Sequence, residues 1–355
     1  MHLNKSFISR FCRNKAAMAG SIWIAVSVFA ALFAYLLAPD NSPHANRMML
    51  EISMVQPGHR QLVIQAEQPE HAEVSFWQRM YSGKPDNSRY IPIQSYVIRN
   101  DTVVAEKIID EGITSTIQFP AKQIKIREVY FLFGTDRFGR DIFSRLLIGT
   151  RVSIGVGLVA VLISVALGLL LGAFAGYYRG RTDAVIAWLI QVVWSLPSVL
   201  LVFAITLALG KGLWVVYVAV GLTLWVNVAR MVRGQVLSIR EMNYVEAARA
   251  LGLPSLVIIF RHILPNLRGP LIVVAAGNFA TAILLEAGLS FLGIGVQAPQ
   301  PSWGLMIREH YNFLITAKPL LALIPGLAIM LLVLAFNLVG NGLRDALDVH
   351  DKKQF

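Results

Sequence analysis

The chain has 355 residues, of which 55% are hydrophobic and only 15% charged. Soluble domains run near 25% charged, so the composition excludes an ordinary soluble protein and places much of the chain in lipid. The formal net charge of +11 would suit a nucleic-acid surface, but membrane proteins also gather Lys and Arg at their cytoplasmic ends, so the position of the charges decides. A single cysteine, Cys12, excludes an intrachain disulfide and a Cys-based zinc site.

A hydrocarbon core of about 30 Å needs about 20 apolar residues in a helix. Six stretches meet this: Ala16–Ala38, Val152–Tyr177, Ala184–Leu209, Leu213–Met231, Leu271–Ile294 and Pro319–Val339. The first follows Lys5, Arg10, Arg13 and Lys15. Its apolar run exceeds that of a signal peptide and no clear A-x-A site follows, so we read it as a retained helix. With the N-terminus inside, the short inside segments hold 15 Lys and Arg, and the two short outside loops hold three: Lys211, Arg308 and Lys318. This asymmetry predicts that both termini are cytoplasmic. The basic excess is then mostly topology, and no nucleic-acid partner is expected.

Residues 39–133 form a long polar insertion on the outer side. Leu62–Ile64, Tyr96–Arg99, Thr102–Ile109, Ser115–Phe119 and Ile124–Ile126 alternate like strands, and Asn100-Asp101 suits a tight hairpin turn. The expectation is a small, mostly β subdomain, serving either as a cap or contact for a binding protein, or as a decoration. After it, FGTDRFGRDIFSRLLIGTRVS (133–153) places Phe138, Ile142, Leu146 and Gly149 on one helical face. Arg137–Asp141 and Asp141–Arg145 have i,i+4 spacing, which predicts an amphipathic interfacial helix leading into the second span.

Gly168, Gly172 and Gly176 give two overlapping GxxxG steps in the second span, a signal for close helix packing. Pro197 and Pro325 can kink the third and sixth spans. Glu286 is the one carboxylate inside a span, and a carboxylate there is a functional candidate by its cost. It lines a path or couples to a moving helix, or else pairs with Asn227, Gln191 or Asn337. Asn278, two turns earlier, lies on roughly the same face, so both are candidate pathway or gating residues.

The segment between the fourth and fifth spans, about 232–270, contains NYVEAARALGLPSLVIIFRHILPN. Asn243 with Glu246 reads as a capping box, Gly252 as a left-handed helix stop, Pro254 as the start of a second helix, and Pro265 as its end. Ala247, Ala248 and Gly252 give the element a narrow profile that can seat in a groove of another protein.

Glu246-Ala247-Ala248, then Gly252, then Leu264-Pro265 resembles the EAA loop of ABC-importer permeases. His262 stands where the general pattern has Ile, but RHILPN is usual in the peptide-permease branch. FGTDRFGRDIFSRLLIGTRVS, EAGLSFLGIGVQAP (286–299), Trp303-Gly304 and Pro325-Gly326-Leu327-Ala328-Ile329 are similar to the C-type subunit of dipeptide and oligopeptide permeases. The resemblance covers about 130–345, and nothing carries over to the insertion.

It implies an all-α bundle of six transmembrane helices in a type I ABC-importer arrangement, in a bacterial inner membrane. The division expected is 1–38 N-terminus and first helix, 39–133 insertion, 134–345 permease core, and 346–355 cytoplasmic tail. Implied partners are a homologous B-type permease, two cytoplasmic ATP-binding subunits, an extracytoplasmic substrate-binding protein and a peptide substrate. Glu246, Ala247, Ala248, Gly252 and Pro265 are the implied ATPase-coupling residues. The chain shows no Walker A pattern, since Gly210-Lys211 lacks the first glycine and the following Ser or Thr. No enzymatic activity, cofactor or metal is therefore expected, and His44, His59 and His71 are too widely spaced to mark a metal site. The same architecture also accommodates nickel chelates, glutathione or another small solute. A proton-driven secondary transporter working through Glu286 would call for inverted repeats, which the chain does not show.

Overall fold

A computed structural model describes residues 2–66, 75–86, 88–110, 112–210, 212–315 and 318–347. His71, Lys211 and the tail from 348 lie outside the described residues. The helices are α1 (His2–Arg13), α2 (Lys15–Leu32), α3 (Ala34–Leu37), α4 (Phe76–Ser82), α5 (Ile142–Tyr178), α6 (Gly180–Trp194) and α7 (Ser198–Leu209). They continue with α8 (Leu213–Ile239), α9 (Asn243–Ala250), α10 (Ser255–Val257), α11 (Arg268–Leu292), α12 (Trp303–His310) and α13 (Leu320–Leu347). Among the described residues, five helical segments are long and apolar enough to cross a membrane, and a sixth span is made if the bent pair α6–α7 counts as one. This agrees with the all-α membrane bundle expected from the sequence.

The bundle is built on α5 and α8. In lipid there is no hydrophobic drive between helices, so close backbone approach has to supply the packing energy. Gly168, Gly172 and Gly176 provide it. A Cβ at these positions would stand 2.4 Å from Val228 Cβ, 2.6 Å from the Ala229 carbonyl oxygen and 2.8 Å from Val236 Cβ, respectively. The glycine row of α5 thus lies in the groove of α8. Gly20 of α2 sits equally close to the Ala335 carbonyl of α13, and Phe279 of α11 stacks on Phe336 of α13 at 4.0 Å between ring centres. Helix ends follow local chemistry: Asn14, Asp141 and Ser302 each accept a backbone N–H in the first turn of α2, α5 and α12. Gly293 closes α11 in the left-handed conformation.

Two prolines behave differently. The third span breaks at Ser195–Pro197, and α6 and α7 meet at 94°. Pro197 is the N-cap of α7, where its missing N–H costs nothing. Pro325 lies inside α13, which runs through it unbroken.

The insertion forms a five-stranded antiparallel sheet in the order β4-β3-β2-β1-β5. The strands are β1 (His59–Ala66), β2 (Arg89–Arg99), β3 (Thr102–Asp110), β4 (Ile113–Pro120) and β5 (Ile124–Phe131). Asn100 and Asp101 both have positive φ (44° and 66°) and pair Arg99 with Thr102, the tight hairpin read from the sequence. Ile64, Ile91, Ile93, Val103 and Ala105 fill one face, while Val63 and Phe131 pack with Met49 and Ile52 on the other.

The expectation for 133–153 is corrected. The helix starts only at Ile142, and 134–141 is a tight turn closed by a Thr135–Asp141 bridge. Gly134 and Gly139 take φ of +76° and +70°, and a Cβ there would lie 2.2 Å from the Val55 oxygen and 1.8 Å from the Met49 oxygen. Side-chain periodicity suggested a helix, but these two backbone positions admit only a turn.

Gly172→Leu is expected to force α5 and α8 apart against a backbone carbonyl that cannot yield. The predicted loss is about 1–3 kcal/mol, read as a lower melting temperature of the purified chain, with Gly234→Ala, where an added Cβ meets open space, as the control.

Candidate functional site: a helical elbow and a buried carboxylate

The segment between α8 and α11 is an elbow with one packed and one bare side. Val245 and Ala248 of α9 are buried against Ile258, Ile259, Ile263 and Leu267, in a cluster that continues into Val232 and Val236 of α8. Arg249 lies over the Tyr177 ring at 5.5 Å, and Arg240 donates to the Tyr177 carbonyl at 2.5 Å. The other side is exposed. Glu246 and Ala247 face outward with the tip residues Leu251 (81% exposed), Leu253, Leu256 (51%), Val257 and Phe260 (54%). Gly252 carries the bend at φ +75° in open space, so any other residue there is strained by the backbone and not by a neighbour.

The segment departs from its local sequence pattern in two places. The N-cap of α9 is Met242, with no side-chain cap bond, so Asn243 and Glu246 form no capping box; Asn243 is already the first helical residue. Nor does Pro265 end a helix at Leu264. After α10 the chain tightens and loosens through a π-helical turn (Ile258–Ile263) and a 3-10 turn (Leu264–Leu267) directly into α11. Pro265 sits in the first positions of that 3-10 turn, where its missing N–H is harmless.

The elbow lies at the end of the bundle away from the sheet. Helix α5, about 55 Å long at 1.5 Å per residue, links the two ends. Its last turn meets Arg240, and its first turns meet the sheet side, where Ser144 Oγ accepts from the Asp40 N–H at 2.9 Å. The Asn14 side chain donates to Asp345 at 3.4 Å, and a Cβ on Gly269 would touch Leu347 at 3.0 Å. The N-terminal helices, the described end of α13 and the elbow therefore share one end.

Glu286 is fully buried in α11. Its Oε1 accepts from Ser290 Oγ at 2.7 Å, and Oε2 has no hydrogen-bond partner among the described residues. Asn227, Gln191 and Asn337 are not its partners; the partner comes from one turn along the same helix. Ser290 Oγ in turn accepts the Val296 N–H at 3.0 Å, so the carboxylate and the serine fold the 293–296 turn back over the helix end. Gly304 completes the packing, its Cα facing the Ala287 backbone so closely that a Cβ would lie 2.4 Å from the carbonyl oxygen. Asn278 is bonded elsewhere, to Ser164 Oγ (3.3 Å) and the Leu224 carbonyl (3.2 Å), and ties α11 to α5 and α8.

A buried ion network that periodicity missed lies at the sheet end. Arg140 holds Asp136 at 2.6 Å and Glu309 at 2.9 Å, and Arg145 reaches Glu309 at 3.4 Å. The expected pairs Arg137–Asp141 and Asp141–Arg145 are replaced by this set, because Asp141 is used to cap α5. Asp136, Glu309 and His310 offer ligand atoms within 4.8 Å of one another, but both carboxylates are already engaged by guanidinium groups, which fits an ion network and not a cation site. His310 donates from Nδ1 to the Met306 carbonyl at 2.7 Å in its neutral form, and burial holds its pKa below the ordinary 6.5. Glu309 lies on the far side of the sequence from Arg140, and only the folded chain brings them together.

Two family descriptions match the chain. "Binding-protein-dependent transport system inner membrane component" covers residues 168–350, and "N-terminal TM domain of oligopeptide transport permease C" covers residues 3–50. The chain belongs to the binding-protein-dependent transport inner-membrane family. Similar proteins include a glutathione transport system permease of Pectobacterium atrosepticum, 44% identical over 61% of this chain and 71% of that protein. A dipeptide transport system permease of Alkalihalophilus pseudofirmus is 44% identical over 64% and 75%, and an oligopeptide transport system permease of Bacillus subtilis is 41% identical over 61% and 70%. The permease is thus the multi-pass membrane component of an ABC importer, and ATP hydrolysis belongs to separate subunits. Its sheet lies between the two matched ranges.

Because native His310 is neutral while an unfolded histidine takes up a proton near 6.5, its contribution to stability is complete above that pH and is lost as the pH falls below it. The melting temperature of the permease is expected to drop on acidification through this range, with a shallower drop in His310→Gln.

Proposed function

We infer that this permease carries small peptides, with the α9 elbow as the docking surface for an ATPase subunit. The observation that carries the coupling part is the exposed apolar tip, Leu251, Leu253, Leu256 and Phe260, held rigidly by the buried Val245 and Ala248 behind it. A surface of this kind on a fixed scaffold transmits a push; a loose loop would absorb it. Glu246, Ala247, Ala248 and Gly252 shape the elbow, and Pro265 lies where it runs into α11. Movement of the elbow is thereby passed to a spanning helix.

In this reading the elbow and both termini face the cytoplasm of a bacterial cell, in keeping with the 15 basic residues of the short segments at that end. The sheet faces outward, toward a substrate-binding protein, and a homologous B-type subunit completes the pathway. The apolar outer faces of α6 and α7, with Trp188 63%, Leu200 62% and Leu207 59% exposed, meet lipid or that subunit. Peptide cargo is supported by the names of the similar permeases, which transport dipeptides, oligopeptides and glutathione, itself a tripeptide. Uptake of labelled di- to pentapeptides in a strain lacking the gene tests it: loss of uptake restored by the gene supports peptide cargo, and undiminished uptake refutes it.

Leu251→Asp with Leu256→Asp is expected to change stability by less than about 0.5 kcal/mol, since both side chains are exposed, while abolishing co-purification of the ATPase subunits. Retained association would overturn the docking role. Glu286 is assigned to gating, with Asn278 fixing the helix that carries it. Glu286→Gln keeps the bond from Ser290 and removes the charge, so it is expected to fold normally and slow transport; normal uptake across a pH series would leave Glu286 a packing role only.

A further inference from the structure

Helix α4 turns aromatic side chains away from the protein: Phe76 is 59%, Trp77 70% and Tyr81 75% exposed. Its C-terminal end is fixed to the bundle. Arg151 of α5 donates from Nη1 to the carbonyls of Met80 (3.3 Å) and Tyr81 (2.9 Å). Gly83 follows, so close to the Asn41 carbonyl and the Tyr35 ring that a Cβ would stand 2.8 and 3.0 Å from them. These contacts hold α4 at the level where α3 completes the first span. Trp214, 72% exposed at the start of α8, belongs to the same end of the bundle. Exposed aromatics gathered at a span boundary are the mark of a membrane interface.

Beside α4, a cavity of about 390 Å³ opens between the sheet and the residues that follow α3. Among the described residues, five basic side chains line it, Arg47, Arg79, Lys84, Lys125 and Arg127, with one acid, Asp86, and Arg47 is itself paired with Asp86 and Asp40. Asp86 is already committed, accepting from Arg47 Nη2 at 3.0 Å and from the Tyr90 hydroxyl. Pro39 and Asn41 form part of the wall, which puts the cavity at headgroup height. An acidic soluble partner would answer the basic cavity but leave the aromatic row in water. A lipid answers both features at once, with a phosphate for the cations and an interfacial layer for the rings.

We propose that this face binds the headgroup of an anionic phospholipid in the sheet-side leaflet, with Phe76, Trp77 and Tyr81 in the interface and the phosphate in the basic cavity. The sheet is thereby tethered to the membrane at a third place besides its two chain connections. This holds whatever the cargo and whether or not the elbow couples to an ATPase.

The test uses the full chain in nanodiscs of phosphatidylcholine with or without phosphatidylglycerol. Lipid retained on gentle extraction is measured by native mass spectrometry. A probe on Gln78→Cys, in a Cys12→Ser background, reports depth through quenching by headgroup-labelled lipid. Phosphatidylglycerol is expected to be retained over phosphatidylcholine. Lys84→Ala with Arg127→Ala should weaken that retention by roughly thirtyfold, while Lys122→Ala, 85% exposed elsewhere on the sheet, leaves it unchanged. Quenching should fall in Phe76→Ser with Trp77→Ser. Equal retention of the two lipids, or retention unaltered in the double basic variant, would overturn the proposal. So would inorganic phosphate bound as tightly by the detergent-solubilised chain with no quenching in discs, which would identify a soluble anion as the occupant.

Discussion

The close approach of α5 and α8 is the contact on which the rest of the permease depends. Lipid gives apolar helices no reason to associate, so the glycine row Gly168, Gly172 and Gly176 has to bring backbone against side chain at near-minimal distance. The paired helices then support both ends of the molecule. At one end α8 leads into the elbow, and Tyr177 of α5 receives Arg240 and Arg249. At the other, the first turns of α5 hold the sheet connection through Ser144 and the short helix α4 through Arg151.

The elbow combines a packed side with an exposed apolar tip. Its buried residues recur at helical spacing, Val245 and Ala248, and are backed by Ile258, Ile259 and Ile263. Its exposed apolar residues cluster at the bend instead of spreading over a helix face. No loop separates α10 from α11, so the elbow runs into the long helix through consecutive helical turns. Continuous π and 3-10 turns maintain hydrogen bonding through a stretch where an α-helix would collide with Pro265.

The sheet end is organised by charge. Arg140 and Arg145 are almost fully buried, and each is answered by carboxylates from two separate segments. Such a set is costly to desolvate and is kept together only by good geometry. It fixes α12 against the turn that precedes α5, next to the Ser290–Glu286 pair that folds back the end of α11. Three adjacent features of the sheet end, the ion network, the carboxylate and the α12 contact at Gly304, are thus packed as one unit.

The sequence by itself determined the membrane class, the number and approximate limits of the spans, the glycine packing row, the Asn100-Asp101 hairpin and the left-handed stop at Gly252. Each of these is written in consecutive residues or in one period, and lipid leaves the backbone few alternatives. What tertiary structure decided is everything that needs two distant segments. The i,i+4 spacing of Arg137, Asp141 and Arg145 read as a helix face, but Gly134 and Gly139 press against Met49 and Val55, and Arg140 finds Glu309 across the fold. Asn243 and Glu246 had the spacing of a capping box, yet the helix starts one residue too early to use it. Glu286 was conspicuous as a charge in lipid, while its partner Ser290 was one of many serines until the chain folded. The 94° break at Pro197 and the basic cavity beside α4 likewise arise from packing between elements, which no local pattern records.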